Sequence, residues 1–142
     1  MPVPVALTEE MTAALESAIA DRAPCIVASA SADGMPDLSY RGSMMVFDAG
    51  HLAYWERAKG ETLANLRENP RLAVLYRNPT TRIGWRFYGV AEIITSGAVR
   101  DDVLARVNPL ELAQDPERQG YAVLVRIDRV RDRTGVIMQR EE

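Results

Sequence analysis

Strand-length runs of apolar alternation, each closed by a glycine, proline or asparagine signal, constrain this chain more than any other feature. Leu72, Val74 and Tyr76 alternate with Arg71, Ala73 and Leu75, and Tyr121, Val123, Val125 and Ile127 alternate in a longer run. A period of two places successive side chains on opposite faces of a sheet. Asn69-Pro70, Asn78-Pro79 and Gly120 punctuate these runs, as turns do. Between them, Ile83 to Thr95 carries Gly84 and Gly89, positions where a bulge or a sharp barrel bend is expected. Strands fall in adjacent pairs instead of alternating with helices, and no Gly-rich phosphate fingerprint is present. The pattern predicts a mainly β chain, a small bent antiparallel barrel of six or seven strands with two or three short helices.

Helical spacing is confined to short segments. Thr8 is placed to cap a helix running to about Arg22, with Met11, Leu15, Ala18 and Ile19 on one face and Glu9 and Glu10 in the first turn. Pro24 ends it, and Cys25 to Ser31 reads as a buried strand. Val99, Val103 and Val107 mark a second helix, stopped by Asn108-Pro109, and a further helical turn is expected within Leu110 to Gln119. A length of 142 residues suits a single domain, residues 1–142.

Several function classes recede on composition. No apolar run approaches the roughly 20 residues of a membrane helix, and Met1-Pro2-Val3-Pro4-Val5 lacks the pattern of a secretory leader, so a cytoplasmic protein is expected. A net charge of −3 argues against nucleic-acid binding. The run Arg129-Val130-Arg131-Asp132-Arg133 reads as the solvated face of an edge strand. Cys25 has apolar neighbours and reads as structural. His51, the one histidine, sits at a turn, which argues against zinc or a Ser-His-carboxylate triad. Asp101 and Asp102 are adjacent on a helix and diverge by about 100°, so they read as a solvated face.

The cations are more suggestive. Asp37 to Phe47 reads as a strand, Asp48 to His51 as a turn and Leu52 to Glu56 as the return. Pairing Phe47 with Leu52 sets Arg41 opposite Ala58, between Arg57 and Lys59. Gly60-Glu61-Thr62 then opens the helical segment Leu63 to Glu68, whose unpaired N–H groups favour an anion. Ser43 and Thr62 supply hydroxyls beside it. The competing reading is a solvated rim on which Glu56 and Glu61 neutralise the cations. Tyr40, Tyr54 and Trp55, with Trp85, Phe87 and Tyr88 on a later strand, offer either stacking surface or core packing. A chain with so few acid and base side chains can still run redox chemistry when a cofactor carries the reactive atoms.

The segments PDLSYRGSMMVF, LAYWERAKG, ETLANLRENPRLAVLYRN and RIGWRFYGVAEI, spanning Met35 to Ile93, together resemble the FMN-binding split barrels of the pyridoxamine 5'-phosphate oxidase-like superfamily. LANLRENPRLAVLY is the most specific piece. The resemblance implies a split β-barrel that binds FMN through Tyr40, Arg41, Gly42 and Ser43, with Trp55, Glu56 and Arg57 along the ring or ribityl chain. It implies that Lys59 and Thr62 join Arg41 and Ser43 on the phosphate, with Asn65 following on the same helix. It further implies a homodimer with the site between subunits, where Trp85 and Arg86 reach across and Trp55 and Trp85 shape the ring pocket. Glu61 stands where many members carry Lys or Arg, leaving Arg41, Arg57 or Lys59 to replace that cation. The tail VRDRTGVIMQREE lacks the Arg, His and Trp pattern by which true pyridoxamine phosphate oxidases hold substrate. The implied function is an FMN-dependent oxidoreductase on a small, unidentified substrate, with no catalytic residue and no metal assigned. Its alternatives are a non-catalytic flavin-binding module and a deazaflavin-dependent reductase on the same fold.

Overall fold

The computed structural model describes residues 1–141. In chain order the elements are α1 (Glu9–Glu16), β1 (Cys25–Ala30), β2 (Pro36–Arg41), β3 (Met45–Asp48), β4 (His51–Glu56), α2 (Glu61–Glu68), β5 (Arg71–Arg77), β6 (Gly84–Ile94), α3 (Ala98–Arg106), α4 (Pro109–Leu112), β7 (Tyr121–Asp132) and β8 (Gly135–Gln139). The strands form one eight-stranded sheet in the order β2-β1-β5-β6-β7-β4-β3, with β8 added to β7. All of its strand pairings are antiparallel. β2 and β3 end the order yet are neighbours in the chain, so the sheet must curl until its two ends meet, leaving a split between them. No helix among the described residues is long and apolar enough to cross a membrane.

Thr8 caps α1 as expected, its hydroxyl accepting from the Met11 N–H at 3.1 Å. The regular helix ends at Glu16, short of the expected Arg22. Tighter turns carry the chain on, with Ala18 N–H bonded to the Leu15 carbonyl, until Arg22 at φ 56° lets Ala23 N–H reach back to the Ala18 carbonyl. A left-handed residue closing a helical segment in this way satisfies its last carbonyls.

The expected hairpin differs in register. The strand from Asp37 to Phe47 is broken by a turn after Arg41, so β2 pairs with β1 and only β3 pairs with β4. Val46, not Phe47, lies opposite Leu52, and Arg41 lies opposite Cys25. At the break, Ser43, Met44, Met45 and Val46 are all buried, and the Ser43 hydroxyl accepts from the Trp55 N–H, fastening the turn to β4. A Cβ at Gly42 would also overlap the Glu111 carboxylate. The reading of Arg129 to Arg133 as an edge strand is likewise corrected, since this stretch pairs with β6 on one side and β8 on the other.

Two apolar clusters result. The barrel interior holds Val27, Leu52, Tyr54, Val74, Phe87, Val125 and Ile127, closed at one side by Met11 and Leu15 of α1. The opposite face of β4 presents Ala53 and Trp55 to a second cluster with Met45, Ala122 and Val103 and Val107 from the α3 segment. Each fully buried large apolar side chain contributes about 1.5–3 kcal/mol. Cys25 lies in the interior, where burial pushes its thiol up to about 12. The bend expected at Gly89 is present as a register shift between Tyr88 and Gly89 against β7. A Cβ on Gly89 would overlap the Arg126 carbonyl, so backbone must move to accept one. Gly89→Ala is therefore expected to destabilise by about 1–3 kcal/mol, read as a lower urea midpoint; an unchanged midpoint would contradict this packing.

Candidate functional site

A row of buried and half-buried polar side chains lies where β1 and β2 meet α2. Ser39 and Arg41 share register positions with Val27 and Cys25, so alternation turns both inward while Leu38 and Tyr40 face out. The Ser39 and Thr62 hydroxyls are 2.8 Å apart, and Asn65 Nδ2 donates to the Ser29 hydroxyl at 3.1 Å. Arg41 donates to Ser39 at 3.0 Å, to the Tyr40 carbonyl at 2.7 Å and to Glu56 Oε1 at 2.8 Å. The Glu56 side chain is 1% exposed and that of Arg41 14%. An ionised carboxylate at that depth needs a partner. Its other oxygen accepts from the Lys59 backbone N–H at 3.2 Å.

Donors still outnumber acceptors here. The Arg41 Nε and the Tyr54 hydroxyl are buried with no hydrogen-bond partner among the described residues. Burial pushes the Tyr54 phenol well above its ordinary range, and the Glu56 charge adds to this against the opposing Arg41. The phenol therefore stays protonated. Gly60 gives α2 no side-chain cap, which leaves first-turn N–H groups open at the positive end of the helix. Lys59, held at φ 52°, precedes it.

The three cations share a neighbourhood but have separate partners. Arg41 is paired with Glu56, Arg57 meets Glu111 at 3.7 Å, and the Lys59 ammonium lies 4.0 Å from the Tyr121 ring centroid. Tyr40, Gly42 and Arg57 line a groove of about 430 Å³ with Glu111. The Ser43 hydroxyl accepts from Trp55 N–H at 2.9 Å, tying β4 to the β2–β3 turn. Trp55 packs under α3, its indole donating to Asp115 Oδ2 at 2.8 Å and covered by Arg100 at 4.8 Å. Trp85 stacks on Tyr76 with centroids 5.7 Å apart, and Arg86 is exposed beside it in a second groove. His51 is bonded to Asp48 at the hairpin turn.

Sequence reasoning placed Tyr54 near the site as an aromatic surface but missed Ser39 and Asp115 as site neighbours. Ser39 had a signal, since it lies two residues before Arg41 and so shares its face. Asp115 had none, being 60 residues from the indole it binds. That carboxylate is raised by burial, but bonds from the Trp55 indole and from the Gln119 and Gly120 N–H groups, with Lys59 nearby, outweigh this and hold it below the ordinary range.

Comparison with known proteins places this geometry. Residues 11–133 match the family model described as pyridoxamine 5'-phosphate oxidase. An uncharacterized protein of Methanocaldococcus jannaschii is 33% identical over 95 residues, which is 66% of this chain and 60% of that protein. The chain thus spans about 60% of that curated relative's length. Among solved structures, HupZ of Group A Streptococcus superposes with a TM-score of 0.74 at 23% identity, covering 92% of this chain and 98% of that one. An FMN-binding protein of Syntrophomonas wolfei gives 0.69 at 13%, covering 86% and 83%. An F420 reductase gives 0.60 at 17%, covering 88% and 98%. At these identities the likeness is one of fold, the split barrel.

The Asp115 bonds carry a pH dependence of known sign. A folded-state value held below the unfolded one, about 3.9, adds stability that is complete above pH 4 and lost as pH falls through the folded value. Asp115→Asn is expected to lower the urea midpoint at pH 7, with the gap to wild type closing as pH drops below about 4. A gap independent of pH would rule out the carboxylate's charge as the cause.

Proposed function

The chain belongs to the pyridoxamine 5'-phosphate oxidase family, and from that membership we propose that it is a homodimeric FMN-dependent oxidoreductase acting on a small substrate. The observation carrying this reading is the donor surplus at the start of α2: open backbone N–H groups beside Arg41, whose buried Nε has no partner among the described residues. These groups fit a phosphate. Arg41, Lys59 and the Thr62 hydroxyl would hold it, with the helix dipole adding a favourable field. The groove beside Tyr40, Gly42 and Arg57 has a volume ordinary for a small-molecule site.

A bound flavin supplies the hydride and electron chemistry, and the protein's contribution is position and field. Glu56 fixes the Arg41 guanidinium so that its planar fork is ordered in advance, at the cost of a carboxylate competing for the same cation. The protonated Tyr54 hydroxyl remains available as a donor behind it. Deazaflavin is the alternative cofactor, and a module that holds flavin without turnover is the alternative role.

The competing carboxylate makes Glu56 the informative substitution. Arg41→Ala would strand a buried charge, which typically costs about 3–5 kcal/mol, and would confuse folding with binding. Glu56→Gln also removes one partner, but it keeps the shape and an acceptor for Arg41, the more exposed of the two, and a urea midpoint measured alongside separates its cost in folding from its effect on binding. The substitution should tighten FMN by about tenfold, roughly 1.4 kcal/mol, in a fluorescence titration run beside a deazaflavin titration. Weaker or absent FMN binding in both proteins would overturn the assignment. Tight FMN that NADH and NADPH fail to reduce would favour the flavin-holding module.

The homodimer rests on a separate surface. Tyr40, Ile26 and Leu75 lie side by side on the outer face of β2, β1 and β5, flanked by Leu38, with Leu38 70%, Tyr40 69% and Leu75 40% exposed. An apolar face of this kind marks an interaction surface, and a second copy brings its own matching face. Leu38→Glu with Tyr40→Glu should convert a dimer to monomer in light scattering. A monomeric wild type would remove the proposed interface.

A further inference from the structure

β6 and β7 set Arg86 directly opposite Arg131 and Tyr88 opposite Arg129. Like charges facing each other across an antiparallel pair destabilise it, so folding alone gives no reason for this placement. Arg77, Arg82 and Arg133 join Arg86 and Arg131 around a groove of about 390 Å³. Its acidic lining is limited to Glu10 and Asp132, and Asp132 is engaged by the Thr134 backbone N–H at 2.8 Å and by the Thr134 hydroxyl. Among the described residues none of these five arginines forms an ion pair. The Nε of Arg131 is buried without a hydrogen-bond partner among the described residues, an arrangement that costs free energy until an acceptor arrives. A chain with formal net charge −3 thus gathers five guanidinium groups around one small concavity.

We propose that this groove binds a compact polyphosphate group, with Arg86 and Arg131 as its central contacts. Guanidinium forks match phosphate oxygens in pairs, which an isolated ammonium does not do. The groove is a local concavity of small-ligand size, without the extended basic track that a nucleic acid needs. Its lining shares no residue with the groove beside Arg41, but Leu75 also belongs to the outer face proposed for the homodimer. Trp85 and Arg86 are the residues the resemblance sends across it, so the FMN arm of the titration is what separates this groove from a partner's flavin site. The polyphosphate can be inorganic or the diphosphate of a nucleotide. Trp85, stacked on Tyr76, offers an aromatic edge to the second.

Calorimetric titration of the full chain with pyrophosphate and with ADP, each with and without saturating FMN, tests the site. Binding that weakens with added salt, persists in FMN, and falls about tenfold or more in Arg86→Gln and Arg131→Gln is the expected result. The same substitutions should raise the melting temperature of ligand-free protein by relieving repulsion, which a general loss of folding does not do. Arg118→Gln, outside the groove, should bind as wild type. ADP binding tighter than pyrophosphate, with the advantage lost in Trp85→Leu, identifies a nucleotide; equal affinity identifies an inorganic polyphosphate. Absence of binding to both, unchanged affinity in both arginine variants, or displacement by FMN overturns a separate polyphosphate site.

Discussion

The Arg41–Glu56 ion pair is the interaction on which the geometry of the split depends. β2 and β3 stand at opposite ends of the strand order, so no ladder of backbone hydrogen bonds joins the edge of β2 to the far side of the barrel. Arg41 crosses that gap to the end of β4 and is itself held by Ser39 and the Tyr40 carbonyl. A buried pair adds little net stability against an apolar replacement but makes loss of either partner severe. Its role is therefore specification, holding one closure of the sheet and keeping a guanidinium in a fixed orientation beneath the start of α2.

β4 shows how the two cores are coupled. Leu52 and Tyr54 enter the barrel while Ala53 and Trp55 enter the cluster under α3, so one strand is buried on both faces. The α3–α4 segment is tied to it by polar contacts, with Asp115 reaching the Trp55 indole and Arg100 covering the ring while donating to the Gly120 carbonyl. The same segment supplies Glu111 to the groove beside Tyr40, Gly42 and Arg57. Covering the second core and shaping that groove are thus consequences of one insertion between β6 and β7.

The outer surface divides by chemistry along the sheet. β2, β1 and β5 present Leu38, Tyr40, Ile26 and Leu75, whereas β6 and β7 present Arg86, Arg129 and Arg131. The two regions abut, since Leu75 of β5 pairs directly with Arg86 of β6. Local rules of folding are kept on the apolar side and broken on the basic side, and such breaks tend to coincide with functional sites.

The sequence by itself determined the strand-rich class, the Thr8 cap, the turns at Asn69-Pro70 and Asn78-Pro79, the bend at Gly89 and the family, because alternation, capping and breaker residues act over a few neighbours. It also set Arg41 near Thr62, but through a hairpin register that the structure replaces: Arg41 pairs with Cys25 and meets Thr62 through Ser39. Only the tertiary structure decided that β2 leaves the hairpin to pair with β1, because the choice of strand partner rests on packing against elements distant in sequence. Pairing of Arg41 with Glu56, of Trp55 with Asp115 and of Arg86 with Arg131 was likewise set by long-range register. Such contacts have no local period to read, and that is why an apparent edge-strand charge run became the wall of an arginine groove.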